Sequence, residues 1–182
     1  MWKSRDVSGD FRTERLAVRE VERGDLDLLV ELNSDVAVME FRTGQASSVE
    51  ETAAELEASM GARWLAFART DGQFFGWVSA VPDRERQEFE VGWRFKRSAW
   101  GQGYATEAGR AIVDVAFTRG ARRVYAQTMA VNIRSRAVME RLGLRHHRTF
   151  HLSFDDPLPG TEHGEVEYEI LRDDWMKRRR ST

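Results

Sequence analysis

The chain has 182 residues, a formal net charge of −2, and 41% hydrophobic against 32% charged residues. That size and balance fit one soluble domain with a substantial core, and they argue against a disordered chain or a globally basic nucleic-acid binder. Cysteine is absent, which excludes disulfides, a thiolate nucleophile and a thiolate metal site.

The opening Met-Trp-Lys-Ser-Arg-Asp has no signal-peptide character, and no apolar run approaches the roughly 18 residues of a membrane span. The expectation is a cytoplasmic protein with no nucleic-acid or membrane partner. One domain is expected over 1–182, with ragged ends at 1–10 and 177–182. The basic run Lys177 to Arg180 reads as a solvated end.

Thr13 to Val21 alternates, with Leu16 and Val18 on the inner side, as a half-buried strand does. Asp25 is placed to cap a helix carrying Leu28, Leu29 and Leu32. Val36 to Arg42 is ambiguous. Ser48 with Glu51 three residues on forms a capping box for a second helix, with Val49, Ala53, Leu56 and Met60 as its inner positions. Trp64–Thr70 and Phe74–Val81 read as strands joined by Asp71-Gly72, a hairpin signal. A turn at Pro82 to Arg84 leads to Glu88–Phe95, where Phe89, Val91, Trp93 and Phe95 share one face and Glu88, Glu90, Gly92 and Arg94 the other.

After Gly101 and Gly103 a helix shows an apolar stripe of Tyr104, Ala108, Ala111, Ile112, Val115 and Ala116, with Glu107, Arg110 and Asp114 opposite. Strand Val124–Met129, a short helix Asn132–Leu142 closed by Gly143, and strands Leu144–Phe154 and Val166–Leu171 complete the chain. The fold class is α/β (α+β): a mixed, mostly antiparallel sheet of about seven strands with about four helices.

The glycine turn is the first functional signal. A strand, two glycines and an open helix N-terminus make a place for a phosphate, because the first backbone N–H groups of a helix have no intrahelical partner and face the positive end of its dipole. The pair alone is weak evidence. The dinucleotide spacing G-x-G-x-x-G fails at Thr106, and no Walker sequence occurs.

Glu90-Val-Gly-Trp93, Trp100-Gly-Gln-Gly-Tyr-Ala-Thr-Glu-Ala108, Asn132-Ile-Arg-Ser135 and Arg141-Leu-Gly-Leu144, behind an opening Thr13-Glu-Arg-Leu, resemble the GNAT superfamily of acyl-CoA-dependent N-acyltransferases. The resemblance spans nearly the whole chain, and its nearest branch is the ribosomal-protein N-terminal acetyltransferase type. It implies acetyl transfer from acetyl-CoA to an amine without a metal, and two central strands, here Glu88–Phe95 and Val124–Met129, splayed around the pantetheine. It assigns cofactor contacts to Phe95, Arg97, Trp100, Gly101, Gln102, Gly103, Tyr104, Ala105, Thr106, Asn132 and Ser135.

Two positions depart from the pattern. Ser98 stands where the family has Gln or Arg. Met139 stands where many members have a proton-donating Tyr, and a thioether has no proton to give. Ser135, one turn earlier on the same helical face, is the alternative donor to the departing thiolate; a serine bonded to its own helix is the plainer reading. Asn132 is equally a preferred helix cap.

For the base, Glu90 comes first, with Glu88 on the same face able to raise its proton affinity. Glu165 and His163 are the other candidates. His146, His147 and His151 alternate in direction along a strand and complete no metal site. Trp64, Trp77 and Phe154 are candidates for lining an acceptor pocket. The expected function is direct acetyl transfer to a primary amine, either a protein N-terminus or a small molecule. The alternatives are an inactive acyl-CoA sensor and an antibiotic or amino-acid N-acetyltransferase. Homodimerisation is left open by the sequence.

Overall fold

The computed structural model describes residues 9–180; the opening hexapeptide and most of the first expected ragged end lie outside them. The strands are β1 (Phe11–Arg12), β2 (Leu16–Glu20), β3 (Arg63–Ala68), β4 (Phe74–Asp83), β5 (Glu88–Phe95), β6 (Arg123–Met129), β7 (Arg145–Phe150) and β8 (Glu165–Leu171). The helices are α1 (Leu26–Asn33), α2 (Val36–Met39), α3 (Val49–Ala58), α4 (Tyr104–Thr118), α5 (Ile133–Leu142) and α6 (Arg172–Arg180). One mixed sheet runs β1-β2-β3-β4-β5-β6-β8-β7, antiparallel except at the β5/β6 pair.

The class is as expected, with one more strand and two more helices. Phe11 and Arg12 pair with Val18 and Ala17 to add a short edge strand. The ambiguous segment after Asp35 is a single helical turn, capped by the Asp35 carboxylate accepting from Ala37 N–H. The basic run is helical through Arg180, anchored where Trp175 stacks on Phe117 at 4.8 Å and donates from Nε1 to Asp114.

α4 covers one face of the sheet with Ala108, Ile112, Val113, Ala116 and Phe117, all buried. They pack against Trp64, Val78, Phe89, Val91 and Phe95 in the larger core. Each buried Val, Ile or Phe among them contributes about 1.5–3 kcal/mol by leaving water, and each Ala less. On the other face α1 and α3 enclose a smaller core of Leu29, Leu32, Leu56, Leu65 and Trp77.

Three local expectations are corrected here. Asp25 does not cap α1: its carboxylate accepts from the Arg19 guanidinium at 2.6 and 2.8 Å and from Glu22 N–H. The Ser48–Glu51 capping box forms and Leu56 is buried as expected, but Thr52 is buried with it while Val49, and Met60 beyond the helix end, are exposed. Pro82 and Asp83 continue β4, paired with Phe89 and Glu88, so the turn lies beyond them.

The sheet opens in the middle. β5 pairs along its whole length with β4, and β6 along its whole length with β8. Between themselves they pair only at Glu88–Arg123, Phe89–Val124 and Glu90–Tyr125. Each strand follows its outer neighbour, and sheet twist carries the two apart beyond Glu90. The splay expected of these strands is therefore present.

Candidate active site

The gap between β5 and β6 is the floor of a cleft of about 1640 Å³ that also takes in the glycine turn, the start of α5 and the 152–161 loop. At one end Gly101 (φ 72°) and Gly103 (φ 82°) turn the chain into α4. Both are left-handed, a conformation that costs glycine nothing. Among the described residues, the backbone N–H groups of 101–106 make no hydrogen bond to protein, and the first intrahelical donor is Glu107 N–H to Gly103 O at 2.9 Å. A Cβ on Gly101 would meet nothing within 4 Å. This row of free donors in open space fits an anionic group such as a diphosphate.

The cradle is clasped from the far edge of the sheet. Glu107, expected to face solvent, accepts from Thr13 Oγ at 2.5 Å, from Arg15 N–H at 2.7 Å and from Arg15 Nε at 2.7 Å. Arg15 also donates to Gln102 O at 2.9 Å and lies over the Tyr104 ring. Trp100 is fixed by its Nε1 donating to Phe95 O at 2.7 Å, with Arg134 over its indole.

Facing the cradle, Asn132 caps α5 by accepting from Ser135 N–H at 3.1 Å and donates to Thr128 Oγ1 at 3.0 Å. The capping role is therefore filled, with one amide N–H to spare. The Ser135 hydroxyl makes no hydrogen bond to protein among the described residues, so it is not satisfied by its own helix. Met139, one turn on, is fully buried yet touches the cleft wall.

Glu90 projects into the cleft from the splay point. Its carboxylate is reachable by solvent but enclosed by protein, and that burial, reinforced by the charge of Glu167, pushes its pKa up, with Arg42 opposing. The expected helper Glu88 is instead committed to Arg123 at 2.8 Å. Burial alone would also raise Glu167, but hydrogen bonds from Arg148, Gln127 and Arg123 outweigh it and hold the carboxyl down at about 2. One carboxylate is thus locked as an anion beside another whose pKa is raised, a juxtaposition that strengthens Glu90 as a proton acceptor. Glu165 opens β8 at the cleft, its pKa raised by burial.

Of the residues singled out from sequence, Glu90, Glu165, Ser135, Asn132, Phe95, Trp100, Gly101, Gly103, Tyr104, Ala105 and Thr106 all line this one cleft. Arg97 does not: its Nε is held by Asp35 at 2.6 Å beside a smaller depression. The Gln102 side chain turns back to donate to Ser98 O at 2.6 Å. His163 pairs with Glu162 at 3.6 Å and is absent from the lining. Trp64 is fully buried on the α4 side, whereas Trp77 and Phe154 line the cleft. The four histidines form no metal-binding group among the described residues. Sequence reasoning missed Glu167, whose signal was the alternation of Glu165, Glu167 and Glu169 along one strand face. It also missed a buried pair, Arg63 and Arg94, that lines the cleft beside Glu55 of α3.

A profile described as "Acetyltransferase (GNAT) domain" matches residues 15–145. Over 123 residues, 63% of this chain, the sequence is 42% identical to the FsC-acetyl coenzyme A-N(2)-transacetylase of Aspergillus fumigatus, and the match spans 52% of that longer protein. A GNAT-family acetyltransferase from Bacillus anthracis superposes with a TM-score of 0.77 at 25% identity, covering 91% of this chain and 99% of that one. RimL, a ribosomal L7/L12 alpha-N-protein acetyltransferase solved in complex with coenzyme A, shares the fold at 18% identity and a TM-score of 0.75, covering 90% of this chain and 98% of its own. The profile covers more than half of the sequence: this chain belongs to the GNAT acetyltransferase family.

Proposed function

We propose that the protein transfers an acetyl group from acetyl-CoA directly to a primary amine held with it in one ternary complex. The observation that carries this reading is the convergence of the unpaired N–H row at 101–106 with the unzipped β5/β6 seam, across which Glu90 and Ser135 face the same space. When bound, acetyl-CoA supplies an activated thioester. The N–H groups and helix dipole of α4 hold its diphosphate. The open backbone edges of β5 and β6 receive its amides.

Glu90 takes the proton that an ammonium must lose before its nitrogen can attack. Ser135 Oγ–H donates to the sulfur as the C–S bond breaks. With no cysteine in the chain, no thioester to the enzyme intervenes. The acceptor is a primary amine. The ribosomal N-terminal branch rests on the sequence motifs and on a neighbour similar in fold alone.

Saturation with acetyl-CoA at 100 times its Kd is expected to add about 2.7 kcal/mol of stability. For a chain of this length that raises the melting temperature by roughly 5–11 °C; adenosine alone should have no such effect. An unchanged melting curve at millimolar acetyl-CoA would refute the reading. Ser135→Ala is expected to lower kcat roughly 10- to 100-fold, the worth of one hydrogen bond to a developing charge, with the melting shift intact. Unaltered CoA release by this variant would remove Ser135 from the mechanism. A buried Met139 where the family resemblance has a tyrosine favours the rival reading, an acyl-CoA sensor. A sensor would show the melting shift but would release no CoA whatever amine is supplied.

A further inference from the structure

Beneath α3 the cleft continues into a lobe where charge does not balance. Arg63 and Arg94 both reach Glu55, Arg63 from Nη2 at 2.8 Å and Arg94 from Nη1 at 3.2 Å. Two guanidiniums therefore share one carboxylate. Arg94 has a neutral second partner in Asn33 Oδ1 at 2.7 Å. Arg63 is 6% exposed and its Nε and Nη1 have no acceptor; the buried Nε1 of Trp77 has none either. Both guanidiniums lie over that indole, with the Arg63 carbon 4.1 Å and the Arg94 carbon 5.0 Å from its centroid.

All the orphan atoms here are donors, and the surplus charge is positive. Burial pushes both arginines below their ordinary pKa even against the pull of Glu55, and Arg42 at the mouth adds to the repulsion. Arg42 also acts on Glu90, so the lobe and the base border one space. Buried donors left unpaired in a cationic pocket call for an anion with planar acceptors.

We propose that this lobe is a carboxylate subsite: the amine acceptor carries, at its far end, a carboxylate that docks on Arg63 and Arg94. This rests on the transferase reading above. The strand geometry sets the length of that acceptor. Arg63 lies in register with Ser79 and Ser79 with Gly92, while Arg94 is four residues from Glu90 on the same strand. At roughly 3.3 Å per residue along a strand and about 4.8 Å between strands, the Cα positions of Arg63 and Arg94 are about 12 and about 13 Å from that of Glu90. An α-amino acid is too short to join amine and carboxylate across that gap. An ω-amino acid or a short peptide spans it. Gly92 lies between Glu90 and Arg94, and a Cβ there would approach Ser79 Oγ at 2.9 Å and the Trp77 ring at 3.6 Å.

The test pairs ε-aminocaproate with its amide as acceptors, and hexanoate with hexanamide as amine-free ligands, at constant ionic strength. The acid is expected to exceed its amide at least about tenfold in kcat/KM, and hexanoate but not hexanamide should raise the melting temperature and compete with the acceptor. Arg94→Gln should collapse the acid-to-amide ratio by on the order of tenfold to a hundredfold and abolish the hexanoate shift, with the acetyl-CoA shift retained. Glu55→Gln, which frees both arginines, should strengthen hexanoate binding, an outcome that a merely structural role would not give. If the buried variants do not fold, the exposed Arg42→Gln carries the test, with a smaller loss of preference in the same direction.

Equal turnover of acid and amide, with hexanoate and hexanamide alike in binding, would overturn the subsite and leave the transferase standing. Hexanoate protection lost in Arg94→Gln, with no amine ever releasing CoA, would keep the subsite and overturn the transferase.

Discussion

Replacing Glu90 by glutamine is expected to lower kcat about 10²- to 10⁴-fold, the usual worth of a positioned base, without disturbing the acetyl-CoA melting shift. The carboxylate sits at the point where β5 and β6 part, in the cleft but off the 101–106 cradle. Its elevated pKa, caused by burial and then by Glu167, sets the pH dependence. Only the ionised form accepts a proton, so kcat/KM should climb with pH along a limb lying above the ordinary carboxylate range, and Glu90→Gln should remove that limb.

The same shift affects folding. Between its ordinary and its raised pKa the folded protein holds a proton that the unfolded chain has released, so stability falls as pH rises through that window. Above it, Glu90→Gln should melt higher than the parent while being far less active. Glu167 works in the other direction: held at about 2 in the fold, it contributes stability at neutral pH that is lost as the solution is acidified from the ordinary carboxylate range toward 2. A Glu90→Gln enzyme with a normal rate and an unchanged acid limb would transfer the assignment to Glu165.

Gly76→Ala is expected to be among the most damaging single substitutions in the sheet. Gly76 has φ 150° and is paired with Phe95 in the ladder that holds β4 to β5. A Cβ there would fall 2.1 Å from Arg94 O and 2.6 Å from Phe95 Cα, both main-chain atoms that no rotamer change can move. Relief requires the end of β5 to leave β4, breaking contacts such as Lys96 N–H to Phe75 O at 2.7 Å. The cost should exceed about 4 kcal/mol, or roughly 8–16 °C in melting temperature. Gly72→Ala is the control. Its φ of 74° is also left-handed, but a Cβ there meets nothing within 4 Å, so only about 1 kcal/mol of backbone strain is expected. Equal losses for the two variants would show that conformation rather than collision is responsible.

Elements with local causes were legible in the sequence. Ser48 and Glu51 announce the start of α3, Asn132 and Gly143 bracket α5, and the alternation of β5 sorts its carboxylates from its core residues. The cleft was legible because its cradle is a contiguous turn. What was hidden depends on which strands lie side by side. Glu88 and Glu167 are both near Glu90, and only the β5/β6 and β6/β8 pairings reveal that Arg123 binds both, while Glu167 is the charge that adds to the raised pKa of Glu90. In α3 Leu56 is buried as expected, but Val49 and Met60 only look like core residues, and the packing against α1 selects Thr52 in their place. Arg94 reads as a strand polar residue and Arg63 lies just outside the expected strand Trp64–Thr70, and only the arrival of Glu55 from α3 between them makes them a pair.

The clasp between Glu107 and the Thr13–Arg15 segment has a consequence for how the protein matures. It joins residues 92 apart in sequence, and contacts of such separation form only after the intervening chain has been organised, since loop closure must precede their reward. The α4 helix can nucleate early from its own apolar stripe, but the turn before it is held in place by the opposite end of the sheet. Competence of this turn to receive an anionic ligand is therefore among the last properties the chain acquires on folding and among the first it forfeits when the sheet edge frays, so ligand capture would report the integrity of the whole domain.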